Sequence, residues 1–153
     1  FSDWARTFPN VKHLTVSFVG NLKLIENFEN LESLWIHSSK FSKLNLPTIK
    51  QLKMTNVEWC GQRPFTIDGS QIDTLIISGC DQYPIWLIDF LQRDETKLKK
   101  LKLSFVSLLE KIQRAIDENR EKIEELDISD CEISCEYDSD GLESEDDDWG
   151  EFY

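Results

Sequence analysis

Apolar residues recur along the chain in one repeated arrangement, at relative positions 1, 4 and 6, with a small or apolar residue at position 9. Successive copies of this arrangement begin 20, 18, 23, 26 and 25 residues apart. Self-similarity at this spacing indicates a repeat architecture in which each copy forms one structural unit. The six copies are Val11-Leu14-Val16-Val19, Leu31-Leu34-Ile36-Ser39, Ile49-Leu52-Met54-Val57, Ile72-Leu75-Ile77-Cys80, Leu98-Leu101-Leu103-Val106 and Ile123-Leu126-Ile128-Cys131.

Positions 4 and 6 of each copy fall on one side of a short strand, whereas positions 3, 5 and 7 fall on the other side. One such strand cannot bury its apolar side alone, so the copies must stack as a parallel sheet that shares a core. We therefore predict six parallel strands, and we call the surface formed by positions 3, 5 and 7 the outward face. The position-4 residues predicted to lie inside are Leu14, Leu34, Leu52, Leu75, Leu101 and Leu126.

The segments that return the chain from one strand to the next change along the sequence. About ten residues are available for each return in the first three copies, with Pro47 in one, so we predict loops or single turns there. The segment from Tyr83 to Arg93 has helical spacing, with Pro84 suited to a first turn. Its apolar face consists of Trp86, Leu87, Phe90 and Leu91. A second predicted helix, between the fifth and sixth strands, has an apolar stripe of Leu108, Leu109, Ile112, Ala115 and Ile116.

Two copies end in cysteine, namely Ile72-Asp-Thr-Leu-Ile-Ile-Ser-Gly-Cys80 and Ile123-Glu-Glu-Leu-Asp-Ile-Ser-Asp-Cys131. They resemble the leucine-rich repeat family, in the irregular, cysteine-containing kind found in F-box substrate receptors. The resemblance spans residues 11 to about 133. It implies an α/β repeat solenoid, in which a leucine-rich repeat arc has a parallel sheet on its concave side and loops or short helices on its convex side.

We divide the chain into a leucine-rich repeat domain of about six repeats, residues 1–135, and an acidic tail or C-terminal cap, residues 136–153. The chain begins at Phe1 and its single methionine is Met54, so we expect it to be part of a longer protein. Its net charge is −12, but the first 135 residues hold 17 basic and 20 acidic residues, a net charge of −3. The tail has no Lys or Arg, and its nine acids are Glu136, Asp138, Asp140, Glu143, Glu145, Asp146, Asp147, Asp148 and Glu151.

This charge distribution argues against direct binding to nucleic acid, which requires clustered Lys and Arg. A basic protein surface fits the tail better. No apolar run approaches the roughly 20 residues needed to cross a bilayer, so we expect no membrane partner. The four cysteines are too few for a disulfide scaffold and no N-glycosylation sequon occurs, which favours a cytoplasmic or nuclear protein.

Candidate catalytic and metal-binding residues are few. His13 and His37 lie at positions 3 and 7, without a Ser, Cys or Asp at triad spacing, and we interpret them as ordinary surface histidines. Cys131 and Cys135 lack the two further ligands that a structural zinc requires, while Cys80 and Cys131 suit a buried position 9. Glycine motifs for nucleotides are missing from the sequence. We therefore predict no enzyme activity, no metal, no cofactor and no small-molecule substrate.

The outward face contains the candidate binding residues. Trp35 and Ile76 are large apolar residues at position 5, and Trp is enriched in binding hot spots. Small polar residues at position 7 allow close approach, and Lys53, Lys100 and Lys102 form a basic spot that could meet an acidic ligand. Alternatively, a missing N-terminal region or the acidic tail covers Trp35. The candidate partner-binding residues are Trp35, His37, Lys53, Thr55, Ile76, Ser78, Lys102 and Asp127.

The tail combines like charges with aromatic rings, which a simple solvating spacer does not need. It is similar to the acidic-aromatic peptides by which some histone chaperones cover basic histone surfaces. The alternative is a C-terminal cap whose rings pack on the last repeat around Ile128 and Ile133. The candidate anchor residues are Asp146, Asp147, Asp148, Trp149, Phe152 and Tyr153.

Together these observations predict a non-catalytic module that binds another protein. The resemblance implies the substrate-binding repeats of an F-box-type ubiquitin-ligase receptor or a similar adaptor. The alternative function is that of an acidic leucine-rich repeat chaperone, which binds basic nuclear proteins such as histones through its C-terminal tail.

Overall fold

The computed structural model describes residues 4–17, 23–41, 43–46, 48–59, 66–68, 71–80, 82–93 and 96–135. In chain order its elements are α1 (Trp4–Thr7), β1 (His13–Ser17), a 3-10 turn (Lys23–Asn27), β2 (Ser33–His37), β3 (Lys40–Phe41), β4 (Lys43–Asn45), β5 (Gln51–Thr55), β6 (Glu58–Trp59), β7 (Thr66–Asp68), β8 (Thr74–Ser78), α2 (Trp86–Gln92), β9 (Lys100–Ser104), β10 (Ser107–Leu109), α3 (Glu110–Glu118), a second 3-10 turn (Arg120–Lys122), β11 (Glu125–Ser129) and β12 (Glu132–Ser134). Within these ranges no helix is long and apolar enough to cross a membrane.

One six-stranded parallel sheet dominates this α/β arrangement. Its strands follow the order β1-β2-β5-β8-β9-β11, so each copy of the apolar arrangement lies beside the next one along the chain. The register aligns equal positions: Leu14 pairs with Leu34, and the same column continues through every later strand. The predicted six-stranded sheet and its register are therefore confirmed. The position-4 column is Leu14, Leu34, Leu52, Leu75, Leu101 and Leu126.

Burial of the position-4 column depends on the place of the strand in the sheet. The four leucines of the inner strands are at most 1% exposed. Leu14 and Leu126 also pack against the core, as predicted, but they are only half-buried. The reason is that β1 and β11 are the outer strands of the sheet and have a neighbouring strand on one side only.

The two predicted helices are both present, with altered boundaries. Helix α2 buries Trp86, Leu87, Phe90 and Leu91, as its sequence pattern predicted. Pro84 lies just before this helix, not in its first turn, and its carbonyl accepts a hydrogen bond from the amide of Leu87. These apolar side chains join the same core as the inner faces of the strands.

Helix α3 is shorter than predicted. Leu108 and Leu109 lie in β10, which pairs in parallel with β12, and both leucines are buried. The helix begins at Glu110 and buries Ile112, Ala115 and Ile116. Leu108 and Leu109 continue the apolar stripe of α3 in the sequence because β10 leads directly into α3 and the side chains of both elements pack into the same core.

The earlier returns differ in part from the prediction. The first contains a single 3-10 turn, as expected, but the second and third contain short strands that pair as β3 with β6 and β4 with β7. Strands of two or three residues are too short for an alternating pattern to be recognised in the sequence. Pro47 lies outside the described residues.

Position 8 adopts a left-handed backbone conformation immediately after β2, β5, β8, β9 and β11. The φ angles lie between +49° and +69°. Where the following strand is present, the position-8 amide donates to the position-7 carbonyl of that strand, as from Asn56 to Ser78 at 3.0 Å. The chain thus leaves each strand at an equivalent point. The residues are Ser38, Asn56, Gly79, Phe105 and Asp130.

Position 2, just before each strand of the sheet, forms a second regular column. Its carbonyl accepts hydrogen bonds from two successive amides of the next copy, as the Lys12 carbonyl does from Glu32 and Ser33 at 2.8 and 3.0 Å. The side chains in this column alternate in charge from each copy to the next. In order they are Lys12, Glu32, Lys50, Asp73, Lys99 and Glu124.

Candidate functional site: the outward face of the sheet

The parallel register brings the predicted partner-binding residues onto one face. At position 5, Trp35 pairs with Lys53, Lys53 with Ile76, Ile76 with Lys102, and Lys102 with Asp127. Neighbouring strands lie about 4.8 Å apart, so this row crosses the sheet in equal steps. Position 7 runs beside it and contains the other three predicted residues, His37, Thr55 and Ser78.

Trp35 is held in place by three neighbours, yet 37% of it remains exposed. Its indole N–H donates to the Thr55 hydroxyl at 3.0 Å, and the Lys53 ammonium lies 4.1 Å from a ring centroid. The His37 ring meets it edge-on, with centroids 6.0 Å apart and an interplanar angle of 71°. An ordered, exposed indole can bind a partner without first paying the entropy of fixing its rotamer.

Two predictions about exposure need correction. Ile76 is half-buried, since Lys53 and Lys102 flank it on the adjacent strands. His37 is also half-buried and is not an ordinary surface histidine, whereas His13 is exposed. The Nδ1 atom of His37 is buried and has no hydrogen-bond partner among the described residues. The strand neighbours of His37 are the short residues Ser17 and Thr55, and the large side chain in contact with it is Trp35 of its own strand.

A shallow depression of about 220 Å³ lies next to Trp35 on the outward face. For comparison, an apolar cavity of about 150 Å³ is enough to hold benzene. The candidate binding residues chosen from the sequence did not include those at position 3, although position 3 lies on the same face of each strand as positions 5 and 7. The outward side chains that line it are His13, Thr15, Ser33, Trp35, Gln51, Lys53, Thr74 and Ile76.

The charge of the outward face differs from that of the whole chain. Positions 3, 5 and 7 of β1, β2, β5, β8 and β9 include three lysines and two histidines but no Asp or Glu. Acids enter this face at β11, where Glu125 lies 3.9 Å from the Lys100 ammonium. Lys53 and Lys102 have no carboxylate within 4.0 Å in the described part of the chain.

Other titratable groups lie away from this face. The pKa of Asp117, on α3, lies below its ordinary value because the side chains of Arg120 and Gln113 donate hydrogen bonds to its carboxylate. Cys80 is buried, as predicted, and Cys131 is half-buried. Among the described residues, no three His, Cys, Asp or Glu side chains are grouped so that they could hold a metal ion.

The predicted tail site lies outside the described residues. Its members are Asp146, Asp147, Asp148, Trp149, Phe152 and Tyr153. The two residues proposed as targets of a cap are accessible to different degrees: Ile133 is 52% exposed and Ile128 is half-buried. The exposed apolar side chain of this pair, Ile133, thus lies on β12, and Ile128 lies on β11, the last strand of the six-stranded sheet.

Comparisons with models of known protein families, with curated proteins and with solved structures found no match to this chain.

Proposed function

We propose that this chain is a non-catalytic protein-recognition module, built as a leucine-rich repeat arc whose concave side is the outward face. The observation that carries the proposal is the state of Trp35, which is ordered by Thr55, Lys53 and His37 but still exposed. Binding hot spots combine such fixed aromatic rings with surrounding residues that exclude water. Small hydroxyl residues at position 7 leave room for a partner to approach.

The repeat solenoid is supported by the equal spacing of positions across the sheet and by the left-handed residue that follows each strand of the sheet whose next residue is described. The more specific assignment rests on the sequence resemblance: the chain would form the substrate-binding repeats of an F-box-type ubiquitin-ligase receptor or adaptor. Such a module acts in the cytoplasm or nucleus and binds a protein, without a cofactor.

Site-specific photo-crosslinking tests this function. A benzoylphenylalanine at Gln51, in the lining of the depression, should capture a protein partner from cell extract. The same residue at Glu118, exposed on α3, should not. Trp35→Ala should weaken capture at Gln51 by more than about fivefold, the equivalent of about 1 kcal/mol. Equal capture at both positions, unaffected by Trp35→Ala, would contradict the proposal.

A second candidate function is supported by the composition of residues 136–153. Nine acids and the rings of Trp149, Phe152 and Tyr153 suit a peptide that covers a basic protein surface. In that case the repeats are a platform, and the chain is an acidic chaperone of basic nuclear proteins such as histones. Truncation of the chain at residue 135 tests this function.

A further inference from the structure

We propose that the outward face binds an acidic peptide segment of its partner, with an aromatic side chain that enters the depression next to Trp35 and carboxylates that contact Lys53 and Lys102. This inference rests on the proposed recognition function and adds the chemistry of the bound segment. It is carried by the charge, spacing and shape of the described outward residues.

Acidic residues are distributed unevenly over the chain. The chain has 29 acidic residues, yet none lies at the outward positions of the first five strands of the sheet. Lys100 lies 3.9 Å from Glu125, whereas Lys53 and Lys102 have no carboxylate within 4.0 Å among the described residues, although Asp127 is the partner of Lys102 on β11. Although the protein has a net charge of −12, an acidic segment would therefore meet no like-charged side chain at the outward positions of these five strands.

The positions of the two lysines suggest how such a segment lies. Lys53 and Lys102 stand on β5 and β9, with Ile76 of β8 between them. Two inter-strand steps place their backbones roughly 10 Å apart. A peptide in the polyproline II conformation covers about this distance in three residues, which is also one full turn, so residues three apart lie on the same side. Acidic residues three apart in such a peptide, crossing the strands, would therefore face these lysines.

The depression next to Trp35 can hold an aromatic side chain. Trp35 and Ile76 form apolar walls on opposite sides of Lys53, and the volume of about 220 Å³ suffices for one ring. The Lys53 ammonium is oriented by the indole, 4.1 Å away, so its N–H groups remain available to an anion. An aromatic ring flanked by carboxylates would fit both the depression and the lysine ammonium groups.

The test uses the full chain and three pentapeptides that carry a neutral fluorophore at the N-terminus. EEWEE contains acidic pairs three apart around one ring, QQWQQ has the same shape without charge, and KKWKK has the opposite charge. Fluorescence anisotropy should show EEWEE binding at least about fivefold tighter than QQWQQ, and KKWKK the weakest of the three. An equal affinity for EEWEE and QQWQQ would overturn the inference.

Variants locate the binding. Lys102→Glu, at an exposed position, should weaken EEWEE by at least about fivefold and reduce its advantage over KKWKK. The control Lys122→Glu makes the same charge change outside the outward face and should leave the affinity within about twofold. Trp35→Ala should weaken EEWEE and QQWQQ alike, because it removes the ring contact and not the charge. Equal losses from both lysine variants would show that only net charge matters and would refute the site.

The two proposals can fail separately. Capture of a partner at Gln51, lost in Trp35→Ala, together with no preference for EEWEE, would keep the recognition function and discard the acidic segment. Equal capture at Gln51 and Glu118 would remove the recognition function itself.

Discussion

Leu101 and Leu126 occupy the same repeat position but differ in burial, because β9 has neighbours on both sides and β11 has only one. We expect Leu101→Ala to lower the free energy of unfolding by about 2 to 5 kcal/mol, as large-to-small changes in a packed core do. Leu126→Ala should cost clearly less, since its side chain is already partly in contact with water. Denaturant unfolding of both variants measures the difference, and equal losses would contradict the register described above.

Phe105 is the one bulky apolar residue in the left-handed position 8 among the described residues, and it is 64% exposed. A side chain with a Cβ costs about 1 to 2 kcal/mol in this conformation, and Asn tolerates it better. Phe105→Asn should therefore raise the free energy of unfolding by about 1 kcal/mol. A lower melting temperature in this variant would show that the Phe105 ring makes a stabilising contact.

Gly79 occupies the same position 8 as Phe105, but there a substitution would add a side chain to the left-handed conformation. A Cβ at Gly79 would collide with the Asn56 side-chain oxygen, and its φ of +69° is already unfavourable for other residues. Gly79→Ala should lower the free energy of unfolding by at least about 1 kcal/mol. The same thermal melts compare this variant with Phe105→Asn, and a neutral Gly79→Ala would contradict the described turn.

At the scale of the elements, the alternating charges of position 2 place each strand of the sheet beside neighbours of opposite sign. Asp73→Lys would put a third like charge between Lys50 and Lys99. Like charges on adjacent strands are destabilising by up to about 1 kcal/mol per pair, so we expect a loss of about 1 to 2 kcal/mol at low salt.

Asp73→Asn is the control for this change, because it removes the charge but keeps an oxygen that can accept the 2.9 Å hydrogen bond from the Thr74 hydroxyl. The excess cost of the Lys variant over the Asn variant should shrink as salt rises, since exposed charges are screened. Denaturant midpoints at low and high salt measure this. A salt-independent difference would indicate a steric cause.

Elements differed in how far the sequence could predict them. The six strands of the sheet, α2 and α3 were predictable because each carries a periodic apolar pattern of at least five residues, although α3 begins later than its stripe predicted. The short strands β3, β4, β6, β7, β10 and β12 were not, since two or three residues show no period. The outward positions could be predicted because side chains alternate between the two faces of a strand. The half-burial of His37 and Ile76 could not, because it depends on the size of neighbouring side chains, which this alternation does not give.

At the scale of the whole molecule, truncation at residue 135 separates the two candidate functions of the tail. If residues 136–153 bind basic proteins, the truncated chain should no longer bind them. The affinity of the full chain should also fall steeply as the salt concentration rises, because exposed charges are screened beyond roughly 8 Å at physiological ionic strength. Stability should then be unchanged. A salt titration with a histone, with and without the tail, measures this.

A tail that caps the last repeat predicts the reverse result for the same truncation. Packing of Trp149, Phe152 or Tyr153 near Ile133, which is 52% exposed, would stabilise the chain by about 1.5 to 3 kcal/mol for each well-buried ring. The truncated chain should then melt at a lower temperature and keep its affinity for basic proteins. A truncation that changes neither property would leave the outward face as the remaining functional surface.

Because the charges at position 2 alternate from copy to copy, the number of copies removed from the sheet decides whether the alternation is kept. Removal of one inner copy would bring two like charges together, such as Glu32 and Asp73, whereas removal of two adjacent copies would leave Glu32 beside Lys99 and keep the alternation. With respect to the charges at position 2, copies of the repeated arrangement can therefore be removed in adjacent pairs but not singly. The column also begins with Lys12 and ends with Glu124, so the two ends of the sheet carry opposite signs and the order of copies has a direction.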